Sequence, residues 1–173
     1  MRNKTRFQRI KLFAMDVDGV LTDGKIIFDS HGRETKIFDV QDGFGLVLLK
    51  KAGLKTAIIT ARYSKVTTIR GKDLDIDKIY QDAYPKLTVY PKLLRDFKVS
   101  AKEVCFVGDD IVDIPILKRV GLAVAVANAT PETKRAAHYV TKNKGGEGAV
   151  REVIELILKS QGWWPKLVKE CSQ

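Results

Sequence analysis

The chain has 173 residues, of which 45% are hydrophobic and 30% are charged, and it carries a formal net charge of +10 at pH 7. A chain of this length and apolar content can bury a core of its own, and because no apolar run approaches the ~20 residues of a transmembrane helix, intrinsic disorder and a membrane span are both excluded. Lys and Arg are scattered along the sequence without a nucleic-acid-binding motif, so we expect anionic small molecules as partners, and neither nucleic acid nor a membrane.

The chain begins with a basic segment, MRNKTRFQRIKLF, that has neither an uninterrupted apolar stretch nor a small-residue cleavage site. It does not match a secretory signal, and we expect the protein to be cytoplasmic. The two cysteines form no disulfide framework and no zinc-binding spacing. Cys105 lies in an apolar run and predicts a core thiol, whereas Cys171 lies in a polar tail and predicts a surface thiol.

Apolar runs alternate with segments of helical spacing along the rest of the chain. The runs that predict buried strands are IKLFAM, LKTAIIT, DKIY, EVCFVG, LAVAVA and HYVTK. Helices are expected to begin near Phe44, Tyr63, Tyr84, Ile111, Pro131 and Gly148. This order is typical of an α/β fold in which helices cover both faces of a parallel sheet.

Two segments depart from this alternation. Residues 25–40 contain two β-rich runs around the turn-rich DSHGRE and predict a β-hairpin. Pro91 interrupts the third helical segment, which should therefore start late, break or kink. We expect one domain over residues 1–162, followed by a tail over residues 163–173 that is either disordered or docked on another surface.

Reactive side chains follow three of the predicted strands. Asp16 and Asp18 come after the first strand, Thr60 after the second, and Asp109 and Asp110 after the fourth. Because ligands of open α/β sheets bind outside the carboxyl ends of the strands, these side chains should meet at one edge. Carboxylates gathered there would repel one another unless a cation neutralised them, and a site of aspartates without thiols or imidazoles favours a hard ion, above all Mg²⁺.

A magnesium site of this kind suits a phosphorylated ligand. An aspartate carboxylate can attack phosphorus to form an aspartyl-phosphate, which divides one difficult displacement into two easier steps. Asp16 and Asp18 stand two residues apart in an extended chain and face the same side, so one could attack while the other transfers protons. The residues therefore favour phosphoryl transfer.

The same residues resemble the four signature motifs of the haloacid dehalogenase superfamily of phosphohydrolases. The matching features are DVDGVLTDG, Thr60, Lys86 and GDDIVD. More specifically, the chain resembles the 3-deoxy-D-manno-octulosonate 8-phosphate (KDO 8-phosphate) phosphatase family. This second resemblance lies in DVDGVLTDG, FDVQDGFG, IITAR, VGDDIVDIPIL, VGLAVAVANA and GGEGAVREVIELIL, which run in order from Asp16 to Leu158. It implies a Rossmann-like fold with the small hairpin in place of a cap domain.

The resemblance also implies a role for each motif residue. Asp16 corresponds to the nucleophile and a metal ligand, Asp18 to the general acid/base and a ligand through its backbone carbonyl, and Asp109 to the third protein ligand of Mg²⁺. Thr60 and Lys86 correspond to the groups that hold the phosphoryl oxygens. The supporting acids would be Asp110 and Asp113, and contact with the sugar acid would fall to Asp18, Lys86, Asp39, Val40, Gln41, Asp42, Gly43, Arg62 and Arg70.

We expect a Mg²⁺-dependent phosphatase that hydrolyses KDO 8-phosphate to KDO and inorganic phosphate, a step towards lipopolysaccharide precursors. The alternatives are a related sugar-acid phosphatase or, from another class, a non-catalytic phosphoacceptor or anion-binding module. A receiver domain shares the acidic pair, Thr and Lys, but places its acceptor on a later strand than the acidic pair and lacks the DxDG pattern. The hairpin is too short to cover a site alone, and the resemblance points to a homotetramer in which another copy closes the site.

Overall fold

The computed structural model describes residues 2–172. Its strands are β1 (Leu12–Met15), β2 (Ile27–Phe28), β3 (Glu34–Thr35), β4 (Lys55–Ile59), β5 (Lys78–Tyr80), β6 (Val104–Gly108), β7 (Leu122–Ala125) and β8 (Tyr139–Val140). Its α-helices are α1 (Arg2–Gln8), α2 (Val40–Lys51), α3 (Lys65–Asp73), α4 (Tyr90–Phe97), α5 (Ile114–Leu117), α6 (Pro131–Ala136), α7 (Ala149–Ser160) and α8 (Trp164–Cys171). Six strands form one parallel sheet in the order β5-β4-β1-β6-β7-β8, which confirms the predicted architecture.

Successive side chains of the central strands enter two separate cores. On β1, Phe13 and Met15 pack with α1, α2 and α7 on one face, whereas Leu12 and Ala14 pack with α4 and α5 on the other. Every residue of β1, β6 and β7 is buried, as expected for strands that helices cover on both faces. Because β1 lies between β4 and β6, the residues that follow these three strands become neighbours.

The hairpin is shorter than predicted. β2 and β3 pair antiparallel, but the pairing ends well before Val40, which is the first residue of α2. The Asp39 carboxylate accepts hydrogen bonds from the N–H groups of Gln41 and Asp42 at 2.6 and 3.0 Å and thereby caps this helix. The expected helix start near Phe44 is therefore wrong, because the capping aspartate moves it towards the hairpin.

The third helical segment starts late, as Pro91 predicts. Residues Lys86–Thr88 form a 3₁₀ turn, and α4 then begins at Tyr90 with Pro91 in its first turn. In that position the missing N–H of proline costs no intrahelical hydrogen bond. A 3₁₀ turn at Ile111–Asp113 likewise precedes the short α5.

Both ends of the described chain pack against the core. The sequence pattern did not indicate α1, which inserts Phe7 so that its ring centroid lies 5.9 Å from that of Tyr139. α8 buries Leu167, so residues 163–172 are docked on the domain. Cys105 is buried and Cys171 is exposed, as predicted. Among residues 2–172, no helix has the length and apolar character needed to cross a membrane.

Candidate active site

A cavity of about 270 Å³ lies at the carboxyl ends of β1, β4 and β6. Its lining consists of Asp16, Asp18, Gly24, Thr60, Ala61, Arg62, Asp109, Asp110 and Val112. The side chains that follow three strands in sequence therefore meet at one edge of the sheet, as expected.

The loop after β1 folds back closely against Asp109. Asp16 continues the strand, since its N–H donates to the carbonyl of Val107 at 3.0 Å. Gly19 then turns the chain with a φ of +86°, and a Cβ at this position would lie only 2.0 Å from Asp109 Oδ2. Glycine is required here both for the left-handed backbone and for the close approach of the Asp109 carboxylate.

Lys86 is buried between two carboxylates. Its Nζ lies 2.5 Å from Asp16 Oδ2 and 2.6 Å from Asp113 Oδ1. Burial alone would lower the pKa of Lys86, but the charges of Asp16 and Asp113 raise it above its ordinary value. The lysine therefore remains a cation paired with Asp16, which lines the cavity.

Asp113 holds Lys86 and the loop after β6 in place. Its Oδ2 accepts hydrogen bonds from the N–H groups of Asp109 at 3.0 Å and of Asp110 at 3.4 Å, while its Oδ1 forms the ion pair with Lys86. Gly108 makes room for it, because a Cβ there would lie 2.5 Å from Asp113 Oδ2. With both oxygens occupied, Asp113 supports the neighbouring residues and is poorly suited to bind a further ligand.

Asp16 and Asp109 fit a divalent cation. Oxygens of Asp16, Asp109 and Asp113 lie within 4.8 Å of one another, with Lys86 as the cation paired to this group. Burial and the charge of Asp113, partly offset by Lys86, raise the pKa of Asp16 to about 6, and burial with Asp113 and Asp16 raises the pKa of Asp109 to about 7. Within residues 2–172 the Asp109 carboxylate has no ion-pair or hydrogen-bond partner. Three carboxylates that share one lysine are only partly neutralised, and hard oxygen donors of this kind suit Mg²⁺.

The Asp18 carboxylate contacts Lys36 and Arg62, whereas Asp16 contacts Lys86. Its carboxylate accepts a hydrogen bond from Lys36 Nζ and lies 3.3 Å from Arg62 Nη1, and both cations also contact Glu34. Sequence reasoning found Arg62 but missed Glu34 and Lys36. Their spacing of two residues at the end of β3 places both side chains on one face, but this pattern does not show whether that face meets solvent or Asp18.

Thr60 and Ala61 form the wall opposite the loop of Asp109. The Thr60 Oγ1 accepts the N–H of Arg62 at 3.4 Å. This contact leaves the hydroxyl hydrogen free to be donated to a ligand in the cavity.

The glycine-rich segment before α7 supports the loop after β1. The Gly146 N–H donates to the carbonyl of Val20 at 3.0 Å, and a Cβ at Gly145 would lie 1.8 Å from the carbonyl oxygen of Gly19. As the sequence indicates, this segment is the loop before the C-terminal helix, which starts at Ala149.

Other predicted substrate-contact residues lie outside the cavity of their own chain. Among residues 2–172, its lining does not include Lys86, whose side chain is 0% exposed, nor Asp39, Val40, Gln41, Asp42, Gly43 or Arg70. Asp42 and Gly43 are buried, and a Cβ at Gly43 would lie 2.4 Å from Arg70 Nη2. Val40 and Gln41 are exposed. Substrate contact by these residues remains a prediction.

Comparison with known proteins finds relatives over most of the chain. The model of the haloacid dehalogenase-like hydrolase family matches residues 50–154. The 3-deoxy-D-manno-octulosonate 8-phosphate phosphatase KdsC of Yersinia pestis is 44% identical over 156 residues, which cover 90% of this chain and 83% of that protein. KdsC of Escherichia coli is 43% identical over 155 residues, or 90% of this chain and 82% of that protein.

The fold comparison agrees. The crystal structure of the 3-deoxy-D-manno-octulosonate 8-phosphate phosphatase from Moraxella catarrhalis, in complex with magnesium ion, phosphate ion and a KDO molecule, matches with a TM-score of 0.95 and 41% identity. The match covers 98% of this chain and 97% of that one. The family model matches more than half of this chain, and the relatives cover most of it at above 40% identity. The chain therefore belongs to the haloacid dehalogenase-like hydrolases.

Proposed function

We propose that this protein is a Mg²⁺-dependent phosphatase that hydrolyses KDO 8-phosphate to KDO and inorganic phosphate. The observation that carries the proposal is the pairing of Asp16 with buried Lys86 beside the carboxylate of Asp109, which has no ion-pair partner among residues 2–172, at the sheet edge where this fold binds ligands. The similarity to KDO 8-phosphate phosphatases supports the substrate.

In the first half-reaction the Asp16 carboxylate attacks phosphorus, and an oxygen–phosphorus bond forms as the bond to the sugar oxygen breaks. Lys86 and the Thr60 hydroxyl face the phosphoryl oxygens and stabilise their charge. Asp18 protonates the departing sugar oxygen. In the second half-reaction Asp18 removes a proton from water, which attacks the aspartyl-phosphate and regenerates Asp16.

The carboxylates of Asp16 and Asp109, with the backbone carbonyl of Asp18, would hold Mg²⁺. When bound, the ion neutralises phosphoryl charge and helps to orient the phosphate. Asp110 and Asp113 act on the surroundings of the site, since Asp113 fixes Lys86 and Asp110 caps the turn after β6.

The substrate class follows from the cations near the cavity. Arg62 lines it and is 36% exposed, so a carboxylate on the substrate can reach its guanidinium and form paired hydrogen bonds. A sugar phosphate that lacks a carboxylate could not make this contact. The phosphate and carboxylate charges prevent such a substrate from crossing a membrane unaided, so we place the reaction in the cytoplasm.

The site is proposed to be completed in a homotetramer. The hairpin and the start of α2 expose large apolar side chains, namely Ile26, Ile27, Phe28, Ile37 and Val40, which are 40–80% exposed. A cluster of this kind favours burial against another copy. Sedimentation should give a tetramer for the parent and for Ile69→Asp, a control on α3, and smaller species for Phe28→Asp.

The proposed activity is tested by phosphate release from KDO 8-phosphate and from neutral hexose phosphates, with Mg²⁺ and with EDTA. We expect turnover only with Mg²⁺, a higher kcat/KM for KDO 8-phosphate, and a loss of several orders of magnitude in Asp16→Asn. Asp75→Asn, which removes an exposed carboxylate elsewhere, is the matched control. Equal kcat/KM for all substrates would contradict the substrate assignment. One phosphate retained per chain without turnover would favour a phosphoacceptor.

A further inference from the structure

Four charged side chains form a closed ring beside the cavity. Lys36 Nζ donates to Asp18 Oδ1 and lies 3.3 Å from Glu34 Oε1. Arg62 completes the ring, with Nη2 3.1 Å from Glu34 Oε1 and Nη1 3.3 Å from Asp18 Oδ2. Negative and positive groups alternate in this charge ring, which joins the loop after β1, the residues at the end of β3 and the loop after β4.

The Lys36 side chain is buried within the charge ring. Its side chain is 1% exposed, and its ion-pair partners among residues 2–172 are Asp18 and Glu34. An ammonium group that has lost its water is stable only when it is paired and hydrogen-bonded. The lysine is therefore held between the two carboxylates and is not a mobile surface charge.

Glu34 is anchored on its other side. Ser64 Oγ donates to Glu34 Oε2, and the same Oγ accepts the N–H of Thr67 at 3.3 Å, which caps α3. Burial alone would raise the pKa of Glu34, but the hydrogen bond from Ser64 and the charges of Lys36 and Arg62 hold it below its usual value. An ionised Glu34, fixed to the start of a helix, can therefore hold both cations of the charge ring in place.

We propose that Lys36 and Glu34 are positioning residues through which the hairpin fixes the carboxylate of Asp18 for proton transfer. The inference rests on the proposed function. Lys36 holds one Asp18 oxygen and Arg62 holds the other, but Arg62 is also the group that a substrate carboxylate would engage. Lys36 is thus the contact that Asp18 keeps once the substrate is bound, and without it the carboxylate can rotate away from the reacting oxygens.

Loss of the Lys36 contact to Asp18 should slow the two half-reactions to different extents when the leaving group departs without needing a proton. The p-nitrophenolate ion leaves without being protonated, so formation of the aspartyl-phosphate from p-nitrophenyl phosphate does not need Asp18. Breakdown of the aspartyl-phosphate still needs Asp18 to deprotonate water. A misplaced Asp18 should therefore let the phosphoenzyme accumulate.

The test compares Lys36→Met with the parent, using Mg²⁺-loaded protein. We expect kcat for KDO 8-phosphate to fall about 100-fold, the scale of a lost general acid/base contribution. With p-nitrophenyl phosphate we expect a burst of one p-nitrophenolate per chain and then slow turnover. General damage to the fold would lower burst and steady rate together. Arg33→Met, an exposed hairpin residue paired with Asp29, is the control and should behave like the parent.

A double-mutant cycle separates this role from a structural one. If Lys36 acts through Asp18, adding Lys36→Met to Asp18→Asn should cause no further loss of p-nitrophenyl phosphate turnover. Glu34→Gln, which keeps the side-chain shape, should also produce a burst and provides the test if Lys36→Met does not fold. Parental kcat in Lys36→Met, or an equal loss in both backgrounds, would overturn the inference alone. A parent that releases no phosphate from any phosphoester would overturn the proposed function as well.

Discussion

Asp42 should make the stability of the fold depend on pH. Its side chain is 1% exposed, and Oδ1 accepts the N–H of Arg151 at 2.7 Å, whereas Oδ2 has no hydrogen-bond partner. Burial raises the pKa of Asp42 to about 6, although the N–H groups at the start of α7 act in the opposite direction. The carboxyl group is therefore harder to ionise in the folded chain than in the unfolded one.

The size and sign of the effect follow from this difference. At about 1.4 kcal/mol per pKa unit, a folded pKa of about 6 against the ordinary 3.8 corresponds to about 3 kcal/mol. Well below 3.8 the group is protonated in both states and contributes no pH dependence. Between 3.8 and about 6 the unfolded chain loses the proton first, so the free energy of unfolding falls as pH rises. Above this range the whole penalty is present.

Urea unfolding of the parent and of Asp42→Asn, with EDTA to remove metal, measures the effect. The asparagine oxygen can still accept the Arg151 N–H, but the side chain cannot ionise. We expect the free energy of unfolding of the variant, minus that of the parent, to rise by about 3 kcal/mol between about pH 3 and pH 8. Asp75→Asn controls for the loss of one surface charge, and its difference should stay flat. Parallel curves for Asp42→Asn and the parent would refute the reasoning.

Three further outcomes are expected. Gly145→Ala would place a Cβ 1.8 Å from the Gly19 carbonyl oxygen, so the loop after β1 must shift. In a phosphate-release assay, kcat should fall about tenfold or more. An unchanged KM would show that the loss is not a uniform loss of binding. Lys86→Met leaves Asp113 buried beside a second carboxylate without a cation, so denaturant unfolding should show a loss of about 3–5 kcal/mol, and an unchanged midpoint would contradict the pairing. A hundredfold excess of Mg²⁺ over Kd should stabilise the parent by about 2.7 kcal/mol, measured as a rise in its melting temperature, and should leave the melting temperature of Asp109→Asn unchanged.

The convergence of the candidate catalytic side chains was predictable because it depends on general rules of sheet topology. Apolar runs identify the central strands, and parallel strands of an α/β fold end at a common edge. Asp16, Thr60 and Asp109 then share that edge whatever the connecting loops do, and they become neighbours because β1 lies between β4 and β6. The motif residues thus needed no knowledge of the loops to be grouped into one site.

The charge ring was not predictable from local pattern. Two polar residues at alternating positions of a short hairpin, such as Glu34 and Lys36, are typical of a strand that faces solvent. Whether that face contacts water or Asp18 depends on the orientation of the hairpin relative to the sheet. Asp42 poses the same difficulty, because the N–H that it accepts belongs to Arg151, which lies 109 residues further along the chain.

The overall charge of the protein and the charge of its cavity have opposite signs, and they act over different distances. The net charge of +10 attracts an anionic substrate from solution, but salt screens this attraction beyond about 10 Å. At the cavity, the carboxylates of Asp16 and Asp109, which line it, and of the buried Asp113 share Lys86 as their paired cation, so an arriving phosphate meets an excess of negative charge at a few ångströms. Short-range repulsion outweighs the screened attraction unless a divalent cation is already bound. The requirement for Mg²⁺ therefore arises from the arrangement of aspartates around one lysine, and it applies to phosphate binding before any chemistry begins.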